Sequence, residues 1–263
     1  MTKGKVLVLG SNATRVEVQG GYADIGQYLN ETVVPVMALI AAGYEIVLAT
    51  PDGGKPTIDP VSDSPMHFGD DVAAHERARA FYESDPSMNA VLSLGAVIEQ
   101  GLDQFAGLFV PGGHAPVVDL MQDADAGAIL RHFHRASKPT ALLCHGPIAL
   151  IAAMAQAPAF RAALIAGDEA GARKLAGDWP YTGYRMTIFS ASEEAFVEEH
   201  VFKAKMHFEM PQALGIAGGS VIVTPVDFAP HVVTDRELIT GQNPGSDHGV
   251  AKALIEALGR ANA

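Results

Sequence analysis

Short, unbroken apolar runs alternate along the chain with longer stretches in which apolar residues recur every three or four positions. "KVLVLG" (5–10), "EIVLA" (45–49), "AGLFVPGG" (106–113) and "TALLC" (140–144) are of the first kind. "ETVVPVMALIAAG" (31–43) and "ADAGAILRHFHRASKP" (124–139) are of the second, and Gly43 stands where a helix end favours a left-handed residue. Strands apolar at nearly every position are covered on both faces, so these runs predict parallel strands with helices on either side. The fold class read from the pattern is α/β: a doubly wound, mostly parallel sheet of flavodoxin-like type. With 263 residues, one domain is expected. Near the end, "HVVTDRELITG" (231–241) reads as two short strands around Asp235-Arg236, and "SDHGVAKALIEALGR" (246–260) as a last helix N-capped by Ser246. Residues 157–184, rich in Ala, Gly and Pro, are expected to form an inserted cap over the site or a subunit contact beside it.

Composition narrows the function. With 18 Lys and Arg against 30 Asp and Glu, the formal net charge is −12, which argues against a nucleic-acid partner, since phosphate binding needs clustered cations. The N-terminal apolar run is too short for a signal peptide, and no stretch approaches the ~18 apolar residues of a membrane span. A cytoplasmic protein with no membrane partner and a small-molecule substrate is expected. The single cysteine excludes an intramolecular disulfide and the cysteine-rich zinc sites. His67, His75, His200 and His207 have no ligand-like spacing, so no metal is expected.

That one cysteine stands in "PTALLCHGPIALIAA" (139–153), at the corner where a strand gives way to a helix expected from about Gly146 to Ala155. Such an elbow exposes a nucleophile and frees a backbone N–H for an oxyanion; Gly146 supplies the small residue it needs and Pro147 suits the first helical turn. The helix N-terminus, and His145 when protonated, would favour thiolate, so the Cys144 thiol is expected below its ordinary value of about 8.5. "VPGGHAP" (110–116) ends a second strand, and Gly112 and Gly113 let backbone N–H groups approach a ligand beside His114. All of these lie beyond the carboxyl ends of strands, where doubly wound sheets bind ligands.

Together "LCHGP", "VPGGHAP" and "LITGQNPGSDHGVAKAL" resemble the ThiJ/PfpI superfamily, whose fold is similar to class I glutamine-amidotransferase domains. The resemblance is strongest to the larger-chain branch that includes heat-shock chaperones and glutathione-independent glyoxalases. It implies a nucleophile at Cys144, a triad histidine at His145, a carboxylate beside the nucleophile at Glu31, and a triad acid at Glu194 with Glu193 as the less favoured neighbour. It also implies a homodimer. The activity expected is a cofactor-free conversion of a small carbonyl compound, methylglyoxal, to lactate. Amidase, peptidase or deglycase chemistry with the same cysteine is the alternative enzyme reading, and a chaperone or redox-stress sensor the alternative outside catalysis.

Overall fold

The structure is a computed structural model describing residues 2–261. Its centre is a seven-stranded sheet of β1 (Lys5–Leu9), β2 (Glu45–Thr50), β3 (Leu92–Ser93), β4 (Phe105–Val110), β5 (Thr140–Leu143), β6 (Val232–Asp235) and β7 (Leu238–Gly241), in the spatial order β6-β7-β5-β4-β1-β2-β3. All neighbours are parallel except β6 and β7, which form an antiparallel pair at one edge. The fold is therefore the α/β, mostly parallel class expected from the apolar runs.

Alternate side chains of β1 enter two different cores. Val6 and Val8 join Leu29, Val33, Val36 and Leu39 of α1 (Leu29–Ala41), with α2 (Val72–Ser84) packed outside it. Leu7 and Leu9 face the other way, toward Ile129, Leu130 and Phe133 of α3 (Ala124–Arg135). Burying both faces explains why the strands show no polar alternation. The chain builds β1, β2 and β3 in one direction, then returns to lay β4 on the other side of β1. The topological switch point therefore lies between the ends of β1 and β4, and the crevice there is the expected binding place for such a sheet.

Several elements depart from the sequence expectations. Between β1 and α1 the chain makes an antiparallel hairpin, Arg15–Val18 with Gly21–Asp24. The segment after Cys144 is an eight-residue 3-10 helix, Gly146–Ala153, rather than the expected helix to Ala155, and all eight residues are buried. Ser246 does not act as the expected cap: its hydroxyl meets the backbone of His231 and the Asn243 side chain. Residues 157–184 do contain two helices, α4 (Ala157–Ile165) and α5 (Glu169–Leu175). α4 packs against the 3-10 helix and α5 against α4, while beyond them the Trp179 indole donates to Leu150 O of the 3-10 helix at 2.7 Å and the Tyr181 hydroxyl to Leu130 O of α3 at 3.2 Å. No residue of this segment lines the cavity at the site. The expected position over the mouth is thus corrected: Trp179 and Tyr181 bury their rings in the core, and their polar tips satisfy carbonyls at the back of the site.

Candidate active site

Cys144 sits at the end of β5 with φ 58°, in the left-handed region that a non-glycine side chain occupies only when its surroundings force it. Two hydrogen bonds do so: Cys144 N–H donates to Gly241 O at 2.8 Å, and Phe189 N–H donates to Cys144 O at 3.0 Å. The backbone of Cys144 is thereby clamped between the end of β7 and the segment that leads to Glu194.

The glycines of "VPGGHAP" bring the neighbouring loop against this corner. A Cβ on Gly112 would stand 2.6 Å from Cys144 Cβ and 2.5 Å from Leu143 O, and would collide with Glu31 Oε2. Gly113 has φ 87°, and a Cβ there would strike Gly26 O. Its N–H points at the Cys144 sulfur, which favours thiolate. Gly146 is held close by Val110 O, 2.8 Å from where its Cβ would be.

His145 follows directly, and its Nδ1 lies 3.3 Å from Cys144 Sγ. Its Nε2 lies 2.7 Å from Glu194 Oε2, completing a buried chain of thiol, imidazole and carboxylate. The other oxygen of Glu194 meets His114 Nε2 at 2.8 Å, and the two imidazole rings lie against each other with centroids 3.9 Å apart and planes tilted by 40°. His114 thus has one ring nitrogen, Nε2, engaged by the acid. Its ring lines the same cavity as Cys144 and His145.

Glu194 arrives in the first turn of α6 (Ala191–Val197). Glu193 beside it is turned away and fully engaged. It closes a capping box with Ser190, and its carboxylate accepts from Phe228 N–H, Gln242 Nε2 and Asn243 Nδ2 at 2.7–3.1 Å. The "TGQNP" residues therefore anchor the helix that carries Glu194.

Glu31 lies in the first turn of α1 with no exposed surface. Its carboxyl faces the Cys144 thiol and the Gly112 N–H, yet neither oxygen has a hydrogen-bond partner of full geometry. A carboxylate would be costly in this position, because nothing replaces the water it gave up. Burial, with the negative charges of Asp247 and Asp59 adding to it, pushes the Glu31 acid up to about 8, so the group carries its proton at neutral pH. Burial, and then Glu31 itself, also pushes the Cys144 thiol up, which corrects the expectation of a lowered value. His145 moves the other way, down to about 4, through burial and the neighbouring His114 against the pull of Glu194. It is a neutral proton acceptor, not the expected charged neighbour of a thiolate. Burial acts to raise Glu194, but the two imidazoles bonded to it prevail and hold it well below the usual carboxylate range.

The donor atoms of His114, His145 and Glu194 all lie within 4.8 Å of one another, a set that could hold a metal ion. No sequence spacing suggested it, because the three residues come from three separate segments. An ion there would replace both hydrogen bonds of Glu194 and take the imidazole that faces Cys144.

The model of the DJ-1/PfpI family matches residues 26–161, a little over half of the chain, spanning Glu31, the Gly112-Gly113-His114 loop and the Cys144-His145 corner. The chain belongs to the DJ-1/PfpI family. Glu194 lies beyond the matched stretch. Among curated DJ-1/PfpI-like relatives, the protein/nucleic acid deglycase HchA of Pseudomonas aeruginosa is 24% identical, with 97% of this chain and 82% of the relative covered. HchA of an Escherichia coli O139:H28 strain is 25% identical, with 97% and 81% covered. Among solved structures, glyoxalase III from Candida albicans superposes with a TM-score of 0.72 at 20% identity, covering 97% of each chain. The Rapid Encystment Protein of Francisella tularensis gives 0.75 at 21% identity, covering 97% of this chain and 99% of that one. At these identities the structural likeness is one of fold. No described helix is long and apolar enough to cross a membrane.

Proposed function

We propose that the protein is a cysteine-dependent enzyme that converts methylglyoxal and water to lactate, working in the cytoplasm as a homodimer. The observation that carries this reading is the buried Glu31 beside Cys144, which keeps its proton to about pH 8 while His145 stays neutral down to about 4. An internal redox of a dicarbonyl needs both a donor and an acceptor of protons around one thiol, and these two groups are in opposite states at the same pH.

The steps follow from those states. Cys144 sulfur adds to the aldehyde carbon as its thiol proton passes to His145 and Glu31 gives its proton to the aldehyde oxygen, forming a hemithioacetal. Glu31, now a carboxylate, removes the hydrogen of that carbon while His145 protonates the neighbouring ketone oxygen, giving an enediol. Glu31 returns its proton to the former ketone carbon and His145 takes the proton of the first hydroxyl, leaving a thioester. Water then attacks the thioester carbonyl with Glu31 as base, and His145 returns a proton to the departing sulfur. One carbon has been oxidised, its neighbour reduced, and every enzyme group has regained its starting state. The Gly113 N–H, aimed at the sulfur, is placed to stabilise charge there.

Purified protein supplied with methylglyoxal, EDTA and no glutathione should form lactate stoichiometrically, and Cys144→Ala should reduce the rate to background. Unchanged lactate formation in that variant would sink the mechanism. A second reading, deglycation, is favoured by the HchA relatives. It uses the same thiol for attack on a sugar-like adduct, and would show as release of free amine from a methylglyoxal-modified amino acid mixture after all free methylglyoxal has been removed.

A further inference from the structure

The cavity that opens from Cys144 is far larger and more apolar than a three-carbon dicarbonyl requires. It measures about 1060 Å³. Methylglyoxal has five heavy atoms and would fill a volume on the order of three waters of ~30 Å³ each, roughly a tenth of that space. A cavity of this size is what a drug-sized ligand occupies.

Its wall carries polar groups, Cys144, His145 and His114 together with Arg77 and Asp247, and a larger set of apolar side chains, among them Val33, Met37, Met66, Phe68, Phe196 and Phe228. Four of these apolar side chains are poorly covered by the rest of the protein: Met37 is 39% exposed, Met66 63%, Phe196 49% and Phe228 44%. They come from α1, from the segment before α2, from α6 and from the loop before β6. Four separate stretches therefore turn large apolar side chains toward one space, although each would lose less free energy by packing inward. Small carbonyl substrates give no reason for such a wall.

We propose that this cavity receives a bulky apolar substituent, aryl or branched alkyl, on the carbonyl compound that Cys144 attacks. The proposal rests on the glyoxalase reading for the chemistry, and names its substrate class as apolar 2-oxoaldehydes. For phenylglyoxal the balance is the same as for the methyl compound: thiol addition at the aldehyde carbon, transfer of its hydrogen as a proton to the ketone carbon, and hydrolysis of the thioester by one water. The aldehyde carbon is oxidised, the ketone carbon is reduced, and mandelate is the product.

Two measurements separate this proposal from the reading beneath it. In the first, kcat/KM for mandelate formation from phenylglyoxal is compared with that for lactate formation from methylglyoxal, using initial rates. Phenylglyoxal is expected to be preferred by about 10-fold or more, since even one methylene in an apolar pocket gives discrimination of that size. Phe196→Ser and Met37→Ser should each lower that ratio by several-fold. In the second, Cys144→Ala protein is titrated calorimetrically with mandelate and with lactate, which reports the cavity without the chemistry. Mandelate should bind at least about 10-fold more tightly. Turnover of neither aldehyde together with selective mandelate binding would remove the glyoxalase reading and support the apolar cavity. Equal binding of the two acids, or methylglyoxal preferred in turnover, would overturn the proposal; a cavity filled by a second copy of the chain would give the former result.

Discussion

Glu31 and Cys144 compete for the right to be charged in one dry corner, and the competition sets the pH behaviour. In the proposed mechanism His145 must be neutral to accept the thiol proton, and Glu31 must be protonated to supply the first one. The rate should therefore follow a bell with limbs near 4 and near 8. Glu31→Gln should lower turnover by roughly 100-fold or more and abolish the upper limb; a wild-type profile with no limb near 8 would count against Glu31 as the donor. Stability should respond as well. The folded Glu31 titrates near 8 against an ordinary 4.5, so the folded state holds a proton that the unfolded chain releases between those values, and stability falls as pH rises across that window. Melting of wild type from pH 5 to pH 9 should show a drop that Glu31→Gln lacks, its size corresponding to several kcal/mol.

At the scale of elements, the sheet was legible because parallel strands buried on both faces leave a pattern that little else imitates. The two short strands around Asp235-Arg236 were legible from their turn. The hairpin Arg15–Val18 and Gly21–Asp24 also left a trace, Val16 and Val18 buried between exposed Arg15 and Glu17 ahead of Gly20-Gly21, but four alternating residues carry little weight. The family resemblance alone places the expected triad acid at Glu194, with Glu193 as the less favoured neighbour; the local signal that separates the two is the capping-box spacing of Ser190 and Glu193, which commits Glu193 to the helix end and leaves Glu194 to the imidazoles. What could not be read was distance in the chain turned into contact: His114 on Glu194, and residues 157–184 behind the site. Two variants test these assignments. Trp179→Phe should remove the bond that satisfies Leu150 O and cost about 1–3 kcal/mol in denaturant melts, with the methylglyoxal KM unchanged if the segment is a support rather than a lid. Gly112→Ala should cost about 1–3 kcal/mol by overpacking, and should also depress kcat, because the added methyl displaces Glu31 or Cys144.

Over the whole molecule, charge discriminates between substrates that the site alone treats alike. A thiol attacking a carbonyl adduct does not distinguish a free dicarbonyl from a modified base on a duplex, and the HchA relatives are named for both protein and nucleic acid. The surrounding field does distinguish them. A chain with 18 cationic and 30 anionic side chains repels a polyphosphate at a distance, whereas a neutral dicarbonyl approaches without electrostatic cost. Salt gives the sign of the effect. Proteins that neutralise phosphates lose affinity as salt rises, because counterion release is then worth less. Here added salt screens a repulsion, so any reaction with methylglyoxal-treated duplex DNA should be slow at low ionic strength and should speed up between about 50 and 200 mM salt, the range over which the Debye length shortens through ~10 Å. Methylglyoxal turnover over the same range should stay flat. The measurement is the salt dependence of both rates in one preparation; a DNA rate that falls steeply with salt would reveal a cationic binding surface and contradict the expectation that nucleic acid is no partner of this protein.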